Sequence, residues 1–167
     1  MIYSYPDYYK KFRCIADKCP DTCCSDWQIV IDDESLEKYR NYAGEYRQTL
    51  HRNIQWEEGV FGHNRKGKCA FLRDDGLCDM YKHMGKDSLC TTCREYPRHT
   101  EEFENIREIS LSLSCPEVAR ILMQKTEPVT FVCEEDDEEE VFEDYDYFLF
   151  SNLEDIREEI LKITQNR

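Results

Sequence analysis

The chain has 167 residues, room for one domain or one compact domain with an appendage, and 40% of them are hydrophobic against 35% charged. Its formal net charge of −14 is unevenly placed: residues 1–125 hold 19 Lys/Arg against 21 Asp/Glu, whereas residues 126–167 hold 3 against 15. That balance argues against nucleic-acid binding, which needs a basic face, and no apolar run nears the ~20 residues of a membrane span.

The opening MIYSYPDYYKKF has neither an apolar h-region nor a small-residue cleavage site, so the sequence predicts a cytoplasmic protein with reduced thiols. Leu, Ile, Val and Phe are sparse before Cys69, and the 11 tyrosines supply amphipathic walls instead. A core this thin calls for a covalent or metal staple. The fold class expected is α+β: a small, irregular, cysteine-rich, metal-stapled domain with short strands and several helices, closed by a C-terminal amphipathic helix.

In chain order, Trp27–Ile31 alternates as a short strand, and Asp32 or Asp33 caps a helix through Ala43 with Leu36, Tyr39 and Ala43 on one face. A second helix over 45–56 presents Tyr46, Leu50 and Ile54. Segment 57–68, with three glycines and the basic Arg65–Lys68, reads as a loop. Cys69–Leu72 reads as a strand turned by Asp74-Asp75-Gly76 into Leu77–Tyr81, which brings Cys69 and Cys78 together. Residues 86–99 read as loop or a single helical turn.

Ile109, Leu111 and Leu113 alternate with serines as a half-buried strand. Ser114-Cys115-Pro116-Glu117 then reads as a capping box opening a helix with Val118, Ile121 and Leu122. Val129–Cys133 suits an edge strand, and the seven acids Glu134–Glu140 read as solvated loop. Ser151–Glu154 is a further capping box, starting a helix with Leu153, Ile156, Ile160 and Ile163 at helical spacing, which is expected to pack on its own domain. The organisation expected is a cysteine-rich metal-binding domain over 1–125, an acidic strand and loop over 126–150, and the amphipathic helix over 151–167.

Cys14, Cys19, Cys23 and Cys24 place four thiols within eleven residues. Tetrahedral metal sites take ligands about 3.5–4 Å apart, which tight turns supply at little entropic cost. Side chains of neighbours point apart, so Cys23 and Cys24 are expected to serve different partners, or one to be a ligand and the other packed. Cys90 and Cys93 have the spacing of a zinc or iron–sulfur half-site, and Cys115, at a helix start, sits where a thiolate is stabilised. The metal ligands expected are Cys14, Cys19, Cys23, Cys24, Cys69, Cys78, Cys93 and Cys115, with Cys90 in reserve and Cys133 a bystander. His83 and His99 lie near cysteine pairs. Spacing alone does not choose between zinc and a [4Fe–4S] cluster, since all-thiolate sites accept both.

Phe12-x-Cys14 through Cys23-Cys24, then Cys69-x-Phe71-Leu72, Cys78-x2-Tyr81 and Cys93-Arg94-x-Tyr96-Pro97, resemble the zinc- or iron-chelating domain family with the CxxCxxCC signature. More narrowly, Cys19–Ile29, Thr92–Arg98 and Leu111–Glu117 resemble the flagellin lysine-N-methylases. That resemblance implies methylation of flagellin lysines, S-adenosylmethionine as methyl donor and an iron–sulfur centre. An open iron of such a cluster can chelate the donor's amino and carboxylate groups, and the nearby Arg94 and Arg98 are expected either to hold that carboxylate or to make ordinary surface salt bridges. No catalytic residue is assigned. Among the six glycines no Gly-x-Gly-x-x-Gly loop occurs, and Asp26 stands where a third cysteine of a C-x3-C-x2-C motif would be. The alternatives from other classes are a non-catalytic zinc- or iron-chelating module with a structural metal, and a redox protein using Cys90 and Cys93.

Overall fold

The structure, a computed structural model, describes residues 1–103, 105–137 and 146–165. The elements run β1 (Ile2–Pro6), α1 (Asp33–Asn41), α2 (Arg47–Arg52), β2 (Ile54–Gln55), β3 (Val60–Phe61) and α3 (Asp79–Met84). They continue as α4 (Thr91–Glu95), β4 (Arg98–Phe103), β5 (Ile106–Leu111), α5 (Pro116–Met123), β6 (Phe131–Glu135) and α6 (Tyr147–Gln165). This mixture of small sheets and short helices is the α+β architecture the sequence implies. The chain divides into two units, one of residues 1–12, 98–111 and 119–167, the other of residues 13–97 and 112–118.

The first unit is built on a four-stranded sheet in the order β4-β5-β1-β6. Strands β4 and β5 pair antiparallel, with Arg98 opposite Leu111, while β1 lies parallel to β5 with Ile2 opposite Ile106. At the other edge β6 runs antiparallel to β1, Ser4 facing Cys133. Glu134 and Glu135, the start of the acidic run, therefore belong to an edge strand instead of a loop, and Glu134 pairs with Lys10. Residues 138–140, the end of that run, lie outside the described residues.

Helix α6 begins four residues ahead of the expected capping box because Asp146 accepts from the Leu149 amide at 3.0 Å. Its stripe does not sink into a core: Leu153, Ile156 and Ile160 stay more than half exposed. The helix is held instead through polar side chains, Arg157 pairing with Glu108 and Gln165 Nε2 donating to Val129 O at 2.7 Å.

The second unit carries the larger core, in which Ile29, Ile31, Tyr39, Leu50, Phe61 and Phe71 are buried. Helix α1 starts where Asp32 accepts from the Ser35 amide at 3.0 Å, with Asp33 and Glu34 in its first turn and Lys38 and Arg40 in its last, the order the helix dipole favours. Tyr39 is fully buried, and its hydroxyl donates to Ser88 O at 2.6 Å. Tyr46, Leu50 and Ile54 are buried as expected, although the helix is shorter than 45–56 and Ile54 has passed into β2.

The expected strand at 27–31 is not part of a sheet. Its alternation is real, with Ile29 and Ile31 buried and Val30 exposed, but it makes a single bridge, Val30 to Val60. The Val30 carbonyl is taken by Thr92 Oγ1 at 2.7 Å, so no further ladder forms there. Within the expected loop 57–68, Val60 and Phe61 form β3 against β2, because both side chains are buried. The turn at Asp74–Gly76 forms as read, with Gly76 at φ +78° and the Arg73 amide donating to Leu77 O at 3.0 Å. Its flanks meet in one bridge, Leu72 to Cys78, and not in two full strands.

Candidate metal centre

Nine of the ten cysteines, Cys14 to Cys115, lie in the second unit, and Cys133 is exposed on β6 in the first. Three sulfurs sit at the openings of turns, where backbone amides converge on them. Cys69 accepts from the Phe71 amide, Cys78 from those of Met80 and Tyr81, and Cys90 from those of Thr92 and Cys93. Each donor is two or three residues further on. Amides so directed stabilise a thiolate and form the outer shell of thiolate metal sites. Cys69 and Cys90 are also part of the hydrophobic core, with Cys24, Cys78 and Cys93 packed against it.

Burial pushes the Cys69 thiol up to about 11 and raises Cys78 as well, so both stay protonated at neutral pH without a cation to draw the proton off. Neighbouring sulfurs add to this: Cys69 feels Cys78, Cys90 and Cys23, and Cys93 feels Cys90, Cys24 and Cys69. Six thiols, from Cys23, Cys24, Cys69, Cys78, Cys90 and Cys93, thus act on one another electrostatically. Cys23 and Cys24 are not turned apart. They occupy a turn, and the Cys23 thiol hydrogen-bonds to Cys24, which raises Cys23 and lowers Cys24. Cys93 likewise donates to Cys90, lowering Cys90 and raising Cys93.

The donor set fits a soft or borderline ion: abundant sulfur, a low-polarity setting and aligned amides. Among the described residues, no three His, Cys, Asp or Glu side chains already form a group able to hold an ion. Cys19 and Cys115, with Cys23, gather about Tyr96, whose phenol is raised first by burial and then by these three thiols. Cys14 is exposed. His83 stacks on Tyr46 at 4.7 Å, and His99 pairs with Glu101 in the first unit. Arg94 pairs with Glu95, and Arg98, in the first unit, lies over the Tyr9 and Phe12 rings at 5.8 and 5.3 Å.

Asp32 was legible as a cap but not as a clamp. Besides the Ser35 amide, its carboxylate accepts from the Thr91 amide at 2.8 Å, joining the start of α1 to the helix that follows Cys90. Burial acts to raise its carboxyl, but the Thr91 and Ser35 hydrogen bonds outweigh burial and bring it to about 2. A carboxylate depressed in the folded chain contributes stability that is fully present above the unfolded value near 4 and lost as pH falls through 4 towards 2. Discounted for its partial exposure, this contribution is about 1–2 kcal/mol. Asp32→Asn is expected to lose that amount at pH 7 and to match the parent chain near pH 2, as measured by urea unfolding across pH.

These features define a class, a thiol-rich chelating domain of α+β type. Residues 13–116 match the family described as "Putative zinc- or iron-chelating domain", named for its CxxCxxCC signature. The chain belongs to that family. It is also 34% identical over 127 residues to proteins named Lysine-N-methylase from Salmonella typhimurium and Salmonella choleraesuis, covering 70% of this chain and 31% of each of theirs. The same identity and length relate it to the Flagellar biosynthetic protein FliU of Salmonella muenchen, of which 75% is covered. The chain therefore spans about a third of the length of the two methylases. No solved structure matches it, and among the described residues no helix is long and apolar enough to cross a membrane.

Proposed function

We propose that the thiols of the second unit hold zinc or a [4Fe–4S] cluster, and that the chain is the metal-binding part of a cytoplasmic protein-lysine N-methyltransferase. The observation that carries the metal site is the set of backbone amides aimed at the sulfurs of the buried Cys69 and Cys90 and the half-buried Cys78. The ligand pool is Cys14, Cys19, Cys23, Cys24, Cys69, Cys78, Cys93 and Cys115, with Cys90 drawn in through its contact with Cys93.

Lysine methylation is supported by the 34% identity to the proteins named Lysine-N-methylase, and flagellin as the acceptor by the same identity to the Flagellar biosynthetic protein FliU; S-adenosylmethionine is the methyl donor of this proposal. The methyl leaves the donor's sulfonium for a lysine Nε, which gives up a proton, and a thioether remains. An iron–sulfur cluster with an open iron would supply an anchor for the donor's amino and carboxylate groups. Arg94, on the helix that carries Cys93, is the cation assigned to that carboxylate.

A structural metal is the second reading, favoured by the burial of Cys69 and Cys90 within the core, as in closed zinc sites. Anaerobic purification with metal and sulfide analysis separates the two. The expected result is a brown protein with iron and sulfide in equal amounts that binds S-adenosylmethionine; the metal-free chain does not. A colourless protein with stoichiometric zinc and no donor binding would establish the structural role instead.

A further inference from the structure

We propose that the rings of Trp27 and Tyr96 form a platform for the ammonium or methylammonium head of a lysine side chain. The proposal rests on the lysine-methylation reading and names where the acceptor would sit. The two rings lie 5.9 Å apart and tilted by 36° in the same unit as the thiols. Their polar edges are already engaged, which fixes both rings. The Trp27 indole N–H donates to Cys23 O at 2.7 Å, while His63 Nε2 holds the Trp27 backbone carbonyl at 2.9 Å. The Tyr96 hydroxyl is 3.1 Å from Ser114 Oγ, which is in turn 2.7 Å from Ser112 Oγ.

What remains available is ring surface, and Trp27 is 39% exposed despite its size. The other tryptophan shows what a filled platform looks like: Arg40 lies over the Trp56 ring at 5.5 Å and His51 packs on it at 4.8 Å. Among the described residues no lysine or arginine stacks on Trp27 or Tyr96. Aromatic faces attract a cation through the ring quadrupole, and methylated ammonium suits them best because it carries little hydration.

The platform stands among the cysteine-bearing segments of this unit. Trp27 hangs on the Cys23 carbonyl, Tyr96 follows Cys93 by three residues, and Ser114 precedes Cys115.

The test uses the purified full chain with its metal. Tryptophan fluorescence is titrated with N-acetyl-lysine methylamide, its Nε-trimethyl form, and the neutral analogue N-acetyl-norleucine methylamide. Both cations are expected to bind at least tenfold more tightly than norleucine, the trimethyl form tightest. Trp27→Leu should cost about tenfold, and Trp27→Phe two- to threefold. Equal binding of norleucine on the unmutated chain would overturn the proposal whether or not the variants fold, as would no binding at tens of millimolar. Methyl transfer to flagellin is followed separately by mass spectrometry. Transfer that Trp27→Leu leaves unchanged sinks the platform and spares the methylase reading. Cation-selective binding that Trp27→Leu abolishes, in a chain without transfer, upholds the platform while the methylase reading falls.

Discussion

Cys93→Ser is expected to leave the purified chain without its metal and to lower its melting temperature by more than 10 °C. Cys93 packs against the core, hydrogen-bonds to Cys90 and lies within electrostatic reach of Cys24 and Cys69, so it joins three cysteine-bearing segments. A metal that binds the folded chain and not the unfolded one contributes its binding free energy to folding, on the order of 10 kcal/mol for structural zinc. Losing one ligand forfeits several kcal/mol of that. Serine also places a hydroxyl among buried sulfurs where a thiol had a partner. Cys133→Ser provides the contrast: the residue is exposed on an edge strand of the other unit, and a change of less than about 0.5 kcal/mol with full metal content is expected. Metal analysis with thermal unfolding on both variants checks the pair. Unchanged metal and melting temperature in Cys93→Ser would remove it from the ligand pool.

What could be read from the sequence is what local chemistry decides. Asp32 caps α1 because a short carboxylate ahead of a helical run finds the amide three residues on, and Gly76 turns because it alone there takes a positive φ without strain. The burial of Tyr46 and Leu50 follows from helical spacing. The parallel pairing of β1 with β5 had no such signal, since it joins residues 2–4 to 106–108 and depends on sheet context. Ser151 resembles a cap, yet Asp146 holds that place in α6 and Ser151 sits within the helix.

The candidate site divides in the same way. The identity of the thiols was plain from their types and clustering, but their contacts were not. Reading Cys23 and Cys24 as pointing apart applies strand geometry to residues that lie in a turn. The clamp from Asp32 to Thr91 spans 59 positions, and the Trp27–Tyr96 pair spans a similar distance, so neither leaves a trace in local pattern.

The core that carries the thiols is thin enough for one ring to matter throughout it, and Phe61→Ala is expected to cost about 3–5 kcal/mol. Phe61 is 1% exposed, meets the Phe71 ring edge-on at 5.2 Å and the Tyr39 ring at 6.1 Å, and its amide donates to Ile29 O at 3.1 Å. Truncation removes the ring from contact with both aromatic neighbours and leaves a cavity that the surrounding core fills only in part. Phe71 lies two residues beyond Cys69 and its amide is the donor to that sulfur, so repacking of Phe71 should also loosen the metal. The melting temperature should fall by about 10 °C and metal release to a chelator should quicken. Phe61→Leu, which refills much of the volume, is expected to recover more than half of both effects. If Phe61→Ala melts as expected but releases metal at the parent rate, the coupling from Phe61 through Phe71 to Cys69 is wrong although the packing argument stands.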